Sequence, residues 1–162
     1  MESSQPNDSE VCFTSARLLS SDGQPRSVVK FNDSLVVEIA YDVKVPIRDL
    51  SVTFHVYDSM NNIVFESIDT DMPEWRGRVR EPGRYHATAT IPPCLLRPGR
   101  YYLSCVSYVQ GKNSFKLFQH LEGVLTFDVS EVGYTFLPGR LGIVSPVLNW
   151  KVCRLNDNGQ MP

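Results

Sequence analysis

Aromatic and polar side chains occur at alternate positions along several segments of this sequence, in a pattern that could hold a sugar. A pyranose ring has an apolar C–H face that packs on an aromatic ring, and its hydroxyl groups pair with short polar side chains. Alternate residues of a strand point to the same face of a sheet, so such residues would form one surface. The candidate carbohydrate-binding residues are His55, Tyr57, Trp75, Tyr102, Ser104, Tyr108 and Gln110.

The tyrosines of this set also have an interpretation that involves no ligand. Tyrosine is favoured in strands, and Tyr57, Tyr102 and Tyr108 could simply pack against one another across neighbouring strands. Residue type alone does not separate the two interpretations, so both remain open at this point.

Motifs of nucleotide hydrolysis and serine catalysis are absent from the sequence. Neither GxxxxGK[ST] nor GxGxxG occurs, and there is no GxSxG turn for a nucleophilic serine. The histidines His55, His86 and His120 are distant from one another in sequence, which argues against a zinc site. We therefore expect no catalytic residues, no metal and no cofactor.

Acidic residues near the predicted loops leave one enzymatic alternative open. Glycoside hydrolysis needs two carboxylates that are close in space, and sequence spacing alone does not reveal such a pair. The residues that could supply it are Asp58, Glu66, Asp69, Asp71 and Glu74.

The elements that must position the candidate side chains are strands. Short segments of alternating apolar and polar residues, separated by Gly, Pro, Asn and Asp, predict an all-β, immunoglobulin-like antiparallel β-sandwich. In immunoglobulin order, the strands that begin near Leu50, Tyr101 and Gly123 share one sheet, whose outer face carries every candidate except Trp75. The predicted strands cover residues 11–20, 35–43, 50–57, 63–67, 84–91, 101–110 and 123–130.

Two connections between these strands carry further information. The segment LRPGRY, which ends at Tyr101, predicts a tyrosine corner, in which the phenol bonds to nearby backbone. Residues 68–82 form a polar loop that carries Trp75, and a loop of this length is more often functional or mobile than idle. The basic run RGRVR at residues 76–80 is typical of a solvated loop.

Charge and composition exclude several classes of partner and location. The chain has 162 residues and a formal net charge of -2, and its basic residues are not clustered, so nucleic acid is not a predicted partner. Its first ten residues lack a secretion signal, and no apolar run reaches the ~18 residues of a membrane-spanning helix. The cysteines have no CxxC spacing, so we expect free thiols in a reducing compartment, with disulfides as the alternative. The cysteines are Cys12, Cys94, Cys105 and Cys153.

The predicted organisation is a polar tail at residues 1–10, a β-sandwich domain at 11–130 and a C-terminal extension at 131–162. The extension contains a strand-like stretch at residues 142–152. Because the edges of an open sandwich must be covered, we predict that this stretch is exchanged in a homodimer. Folding back onto its own sandwich, which would leave a monomer, is the alternative. The apolar side chains of the stretch are Val144, Val147, Leu148 and Trp150.

The order and spacing of these segments resemble the C-terminal polysaccharide-binding domain of Wzt, the ATPase subunit of ABC transporters that export O-antigen. The resemblance covers residues 11–150. The family's nucleotide-binding domain is missing, so the chain resembles an excised C-terminal half or a detached relative, and residues 131–145 are longer and richer in glycine than expected. The matching stretches are DG at 22–23, FNDSLVVEIAY at 31–41, VTFHVYD at 52–58, VF at 64–65, LRPGRY at 96–101, FDV at 127–129 and LNW at 148–150.

The resemblance implies a sandwich that dimerises by exchanging a C-terminal strand, binds a finished cell-surface polysaccharide and couples its recognition to export. The implied partners are the O-antigen glycan, a second copy of the chain, and the transporter's ATPase domain and membrane subunit at the cytoplasmic face of the inner membrane. No sugar-contacting residue is carried over from the family. We therefore expect a non-catalytic carbohydrate-binding module, with a purely structural dimerisation module and a glycoside-active enzyme as alternatives.

Overall fold

The computed structural model describes residues 9–134, 142–146, 148–150 and 152. These residues form strands, connecting loops and one turn of 3-10 helix at Asp69–Asp71. Among them, no helix has the length and hydrophobicity needed to cross a membrane. The strands are β1 (Val11–Ser20), β2 (Val28–Lys30), β3 (Leu35–Val43), β4 (Ile47–Arg48), β5 (Ser51–Asp58), β6 (Ile63–Ile68), β7 (Val79–Arg80), β8 (Gly83–Ile91), β9 (Gly99–Gln110) and β10 (Phe115–Ser130).

Two sheets pack against each other as a sandwich. One has the strand order β1-β3-β8, and the other has the order β2-β10-β9-β5-β6. Neighbouring strands are antiparallel in both sheets, except that β2 runs parallel to β10. A separate short pairing joins β4 to β7. The predicted all-β sandwich is confirmed, and so is the prediction that β5, β9 and β10 share one sheet.

The hydrophobic core follows the alternation that the sequence shows. Along β3, every second side chain from Leu35 to Val43 is buried. The second sheet contributes Leu103 and Phe127, which are also almost fully buried. Each large apolar side chain removed from water contributes about 1.5–3 kcal/mol. Because a shift of one residue would expose this whole set, burial fixes the register of each strand.

Strand β10 is longer than the sequence predicted. It begins at Phe115, whereas the alternation had placed its start near Gly123. The register against β9 shifts between Leu121 and Leu125, and this irregularity contains Gly123. Gly123 has a φ of 59°, a conformation that glycine adopts without the steric penalty of other residues. In the sequence, the glycine of this bulge resembles the start of a strand, although β10 continues through it.

The predicted tyrosine corner is present at the start of β9. The hydroxyl of Tyr101 donates a hydrogen bond of 2.8 Å to the carbonyl oxygen of Arg97. The ring is buried and stacks on Phe127, with 5.6 Å between the ring centroids. Burial raises the pKa of Tyr101, so the phenol stays protonated and remains a donor throughout the physiological range. The corner fixes the loop before β9 onto the sandwich.

Replacing Tyr101 with phenylalanine removes this hydrogen bond and keeps the ring. We expect the free energy of unfolding to fall by about 1 kcal/mol, the typical net value of one buried hydrogen bond. Urea denaturation followed by fluorescence measures the change. A variant as stable as the parent chain would contradict the assigned role of the corner, and ligand binding by the folded variant should be unaffected.

The described part of the C-terminal extension lies against its own chain. Ser145 donates its backbone N–H to the carbonyl oxygen of Leu95 at 2.8 Å, and Val144 forms an isolated bridge with Leu96. Within the single chain, the described residues of 142–152 form this one bridge and no longer ladder, so the strand, which was expected to pair with a second copy, stays a prediction. Pro146 supplies no backbone N–H, which limits pairing at this point.

The apolar strip predicted on this extension is only partly exposed. Leu148 and Trp150 are 63% and 84% exposed, whereas Val144 is half-buried. Val147 lies outside the described residues. The side chains of Leu148 and Trp150 are exposed to water, and large apolar side chains at a surface often mark an interface. The interface at this extension therefore stays a prediction.

The described cysteines are free thiols, as predicted. Cys105 is buried in the core, and burial raises the pKa of its thiol to about 12. A thiol with such a pKa stays protonated and unreactive near neutral pH. Cys12 and Cys94 are half-buried, and Cys153 lies outside the described residues.

Candidate functional site

Strands β5 and β9 bring most of the predicted sugar-binding residues to the outer face of the five-stranded sheet. His55 lies opposite Ser104, and Tyr57 lies opposite Tyr102. The remaining strand residues of the predicted set follow at alternate positions of β9, on the same face. Correct register in β5 and β9 thus groups these residues on one surface.

A hydrogen-bonded group at the centre of this face holds the histidine in place. His55 Nε2 lies 3.2 Å from Glu66 Oε1, and His55 Nδ1 lies 3.2 Å from the hydroxyl of Tyr57. Thr53 donates to the same oxygen of Glu66 at 3.1 Å. In the neutral imidazole, Nε2–H donates to Glu66, and Nδ1 accepts from the Tyr57 hydroxyl. We call Thr53, His55, Tyr57 and Glu66 the outer-face cluster.

The end of β9 beyond this cluster is more apolar. The rings of Tyr108 and Phe115 lie 5.4 Å apart at an interplanar angle of 35°. Burial raises the pKa of Tyr108, and nearby carboxylates raise it further. Gln110 is exposed and lies opposite Phe115, whose side chain is 63% exposed. Tyr108 and Gln110 therefore border a partly apolar surface and extend the outer face beyond the cluster.

Ser104 is not accessible, contrary to its prediction as a sugar-binding residue. It is 3% exposed, and its Oγ accepts a hydrogen bond of 3.0 Å from the backbone N–H of Gly123. The bulge in β10 places this N–H over Ser104. The alternation predicted the face of Ser104 correctly but could not show that the neighbouring strand covers it.

Trp75 lies apart from the outer-face cluster, in an opening between the two sheets. Its ring lies over the guanidinium of Arg80, with 4.2 Å between Arg80 Cζ and the ring. Its edge contacts Tyr85 of β8, at 6.2 Å between ring centroids. The sequence grouped Trp75 with the tyrosines of the sheet, whereas these contacts are with Arg80 of β7 and Tyr85 of β8.

The opening is a cleft of about 490 Å³ between β8 of one sheet and β6 with the following 3-10 turn of the other. It exists because Ala87 and Ala89, which pair with buried Ile39 and Val37, are too short to fill the space below β8. Its floor consists of Val37, Ile39, Val52 and Phe54. Asp71, Trp75 and Tyr85 also line it. His86, Thr88 and Thr90 border it along the edge strand β8, but they alternate with Ala87 and Ala89, so their side chains point to the other face of that strand.

A buried arginine organises the wall of this cleft. Arg80 is 3% exposed and forms an ion pair with Asp69, with 2.7 Å between Nη1 and Oδ2. The same Nη1 donates to the hydroxyl of Tyr41, whose pKa burial raises to about 12. The other oxygen of Asp69 accepts the backbone N–H of Val52 at 2.9 Å. These bonds fix the loop that carries Trp75 onto both sheets.

Sequence reasoning missed Arg80, because it interpreted the basic run at residues 76–80 as a solvated loop. Arg76 and Arg78 are indeed exposed, but Arg80 is buried in β7. One signal was available. Asp69 and Arg80 are opposite charges on either side of Trp75 in a single long loop, which is the arrangement needed for an internal ion pair.

Three of the five acidic residues considered for glycoside hydrolysis have structural partners. Asp58 accepts hydrogen bonds from Asn62 and from the backbone N–H of Met60, and these bonds lower its pKa. A general acid needs a raised pKa, so the shift has the wrong sign for that role. Asp69 is held by Arg80, and Glu66 belongs to the outer-face cluster. Among the described residues, no group of three or more potential ligands could hold a metal ion.

The fold and the cleft define a class of protein, an immunoglobulin-like β-sandwich whose concave opening carries aromatic and hydrogen-bonding side chains. The sequence profile of the Wzt C-terminal domain matches residues 2–142. The chain belongs to this family, and the resemblance found in the sequence is confirmed. It is therefore a Wzt-like domain, of the family that forms the part of Wzt outside the ATPase domain.

Comparison with solved structures agrees with this assignment. The crystal structure of the C-terminal domain of Wzt has a TM-score of 0.71 over 91% of this chain and 90% of its own, at 10% sequence identity. That likeness shows the shared fold. A β-glucuronidase of Parabacteroides merdae has a TM-score of 0.38 at 23% identity, over 70% of this chain and 13% of its own. A TM-score this low does not show a shared fold. No curated protein sequence matches the chain.

Proposed function

We propose that this chain is a non-catalytic module that binds a bacterial cell-surface polysaccharide of the O-antigen type for export by an ABC transporter. Membership of the Wzt C-terminal domain family supports an association with such a transporter. The observation that supports glycan binding is the cleft, a concave opening lined by the accessible Trp75, the phenol of Tyr85 and the carboxylate of Asp71.

The size and chemistry of the cleft suit a sugar ring. Small-molecule sites usually enclose about 300–1,000 Å³ and combine apolar walls with a few polar groups. Trp75 is 38% exposed, which leaves ring surface for the C–H face of a pyranose. Asp71 and Tyr85 line the same cleft, and their carboxylate and hydroxyl oxygens can serve as partners for hydroxyl groups.

Trp75 is also preorganised for stacking. Arg80 lies over the indole and Tyr85 contacts its edge, so the ring is already oriented before a ligand arrives. Arg80 in turn is fixed by its ion pair with Asp69. A side chain that is ordered in advance loses little conformational entropy on binding, which favours affinity.

The outer face of the five-stranded sheet is a second candidate surface, and it is the one that the sequence favoured. The bonds within the outer-face cluster orient Tyr57 and His55, and Tyr102, Tyr108 and Gln110 lie on the same face. This surface offers ring stacking without a concave opening. We rank it second because ligand sites in proteins are usually concave.

Binding and the absence of catalysis are tested together with purified O-antigen polysaccharides. We expect one of them to retard the chain in affinity electrophoresis and to keep its length, as measured by size-exclusion chromatography after long incubation. Shortening of the polymer would contradict the non-catalytic proposal and favour a glycoside hydrolase. Retardation by none of a broad panel would favour the structural alternative, a module that only dimerises.

We also propose that the chain forms a homodimer through residues 142–152, at the cytoplasmic face of the inner membrane. The exposed side chains of Leu148 and Trp150 support an interface at this extension.

A chain truncated after residue 141 tests the proposed interface. We expect the parent chain to be a dimer in multi-angle light scattering and the truncated chain to become monomeric or to aggregate, because the edge that the extension covers is then open. A parent chain that stays monomeric at high concentration would contradict the proposal.

A further inference from the structure

Among the described residues that line the cleft, the one guanidinium is already paired with a carboxylate. Arg80 is already paired with Asp69, at 2.7 Å between Nη1 and Oδ2. His86 Nε2 lies 3.7 Å from Glu38 Oε1, so a positive charge on this ring would be compensated by that carboxylate. Asp71 remains at the mouth as an exposed carboxylate. A carboxylate or phosphate group entering the cleft would therefore meet a like charge.

Arg76 lies next to this carboxylate in the loop but is engaged by backbone. Its Nε donates to the carbonyl oxygen of Thr70 at 3.3 Å, and its Nη2 donates to that of Asp71 at 3.4 Å. It does not line the cleft. Two of its five N–H groups thus hold the 3-10 turn, and its exposed side chain lies outside the cleft.

The interior of the cleft is apolar. Val52 and Phe54 form part of its floor, and Ala87 and Ala89 leave open space below β8. Arg80 Nε is buried and has no hydrogen-bond partner among the described residues, so a neutral oxygen of a ligand could accept from it. A methyl group placed on this floor is removed from water at a gain in free energy, whereas a hydroxyl or carboxylate placed on the apolar side chains, away from Arg80 Nε, loses hydration without a partner.

We infer that the cleft selects neutral sugars that carry an apolar substituent, such as a 6-deoxy methyl or an N-acetyl methyl group, and that it excludes uronic acids. The inference rests on the proposed function, because it names the class of sugar that the same cleft binds. Its two physical parts are the apolar floor, which favours the methyl group, and Asp71, which disfavours the acid.

Matched methyl glycosides that differ only at C6 test the inference. In the galacto series these are the glycosides of D-fucose, D-galactose and D-galacturonic acid, which carry a methyl, a hydroxymethyl and a carboxylate group. The corresponding gluco and manno series control for ring stereochemistry. Binding to the isotope-labelled full chain is followed by NMR, at the indole N–H of Trp75 and the backbone amides of β8.

In at least one series we expect the 6-deoxy glycoside to bind about four-fold more tightly than the hydroxymethyl sugar, the value of one buried methyl group. The uronide should bind most weakly. A uronide that binds as tightly as the deoxy sugar would overturn the inference and leave the proposed glycan binding intact. Binding of no glycoside and of no O-antigen polysaccharide would overturn both.

Two variants separate the floor from the charge. Ala89→Leu fills the cleft and should abolish the preference for the deoxy sugar, whereas Thr126→Leu, an exposed position on the other sheet, should preserve it. Asp71→Asn should raise the affinity for the uronide and leave that for the deoxy sugar unchanged. An unaltered preference in Ala89→Leu, or unaltered uronide binding in Asp71→Asn, would contradict the assigned role of that part of the cleft.

Discussion

Replacing Arg80 with alanine is expected to lower the free energy of unfolding by about 3–5 kcal/mol, the cost of leaving one member of a buried ion pair without its partner. Arg80 is 3% exposed, and the side chain of Asp69 is 17% exposed. The substitution leaves this carboxylate without its cation and removes the guanidinium that lies over Trp75. Urea denaturation measures the loss, and the loop at residues 68–82 should become more accessible to proteases.

Arg78→Ala is the matched control. Arg78 belongs to the same basic run but is exposed, so its replacement should change stability by no more than about 0.5 kcal/mol. If Arg80→Ala does not fold, a double replacement of Arg80 and Asp69 by leucine gives a second measurement. Removing both charges should cost less than removing one. Equal effects of Arg80→Ala and Arg78→Ala would contradict the buried ion pair.

Replacing Trp75 with alanine should weaken binding of the recognised polysaccharide by about 1 kcal/mol or somewhat more, several-fold in affinity, because a stacking ring is lost. Its effect on folding should be limited to the contact with Arg80, about 0.5–1 kcal/mol. Isothermal titration calorimetry on the folded variant measures the affinity. Trp75→Phe, which keeps a smaller ring, should lose less.

Tyr57→Ala is the comparison that decides between the two surfaces. If the cleft holds the sugar, Tyr57→Ala should bind like the parent chain, because its ring lies on the outer face. The reverse result, with affinity lost in Tyr57→Ala and kept in Trp75→Ala, would move the site to the outer-face cluster. Unfolding of Tyr57→Ala would mean that this residue has a larger structural role than its half-buried position indicates.

The longer strands were predictable from alternating apolar and polar residues, whereas β2, β4 and β7, of two or three residues each, were not predicted. In β3, burial alternates strictly from Leu35 to Val43, and the sequence shows the same alternation of apolar and polar residues. The tyrosine corner was also predictable, because its hydrogen bond spans only from Tyr101 to Arg97. Features that depend on neighbours in the sequence were therefore accessible to sequence reasoning.

Features that depend on the spacing of the two sheets were not accessible. The cleft exists because Ala87 and Ala89 leave space opposite the other sheet, and alanine is also an ordinary core residue. Ser104 followed the correct alternation but is covered by the backbone of Gly123 from another strand. Trp75 was recognised as a candidate, yet its partners became visible only when the loop was placed beside β8.

An NMR titration of the isotope-labelled chain with a polysaccharide that it retards in electrophoresis tests the central claim most directly. We expect saturable shifts at the indole N–H of Trp75 and at the amides of residues 85–90, which line one side of the cleft. Shifts confined to β5 and β9 would place the site on the outer face. No shift at any residue under saturating polysaccharide would contradict glycan recognition by this domain.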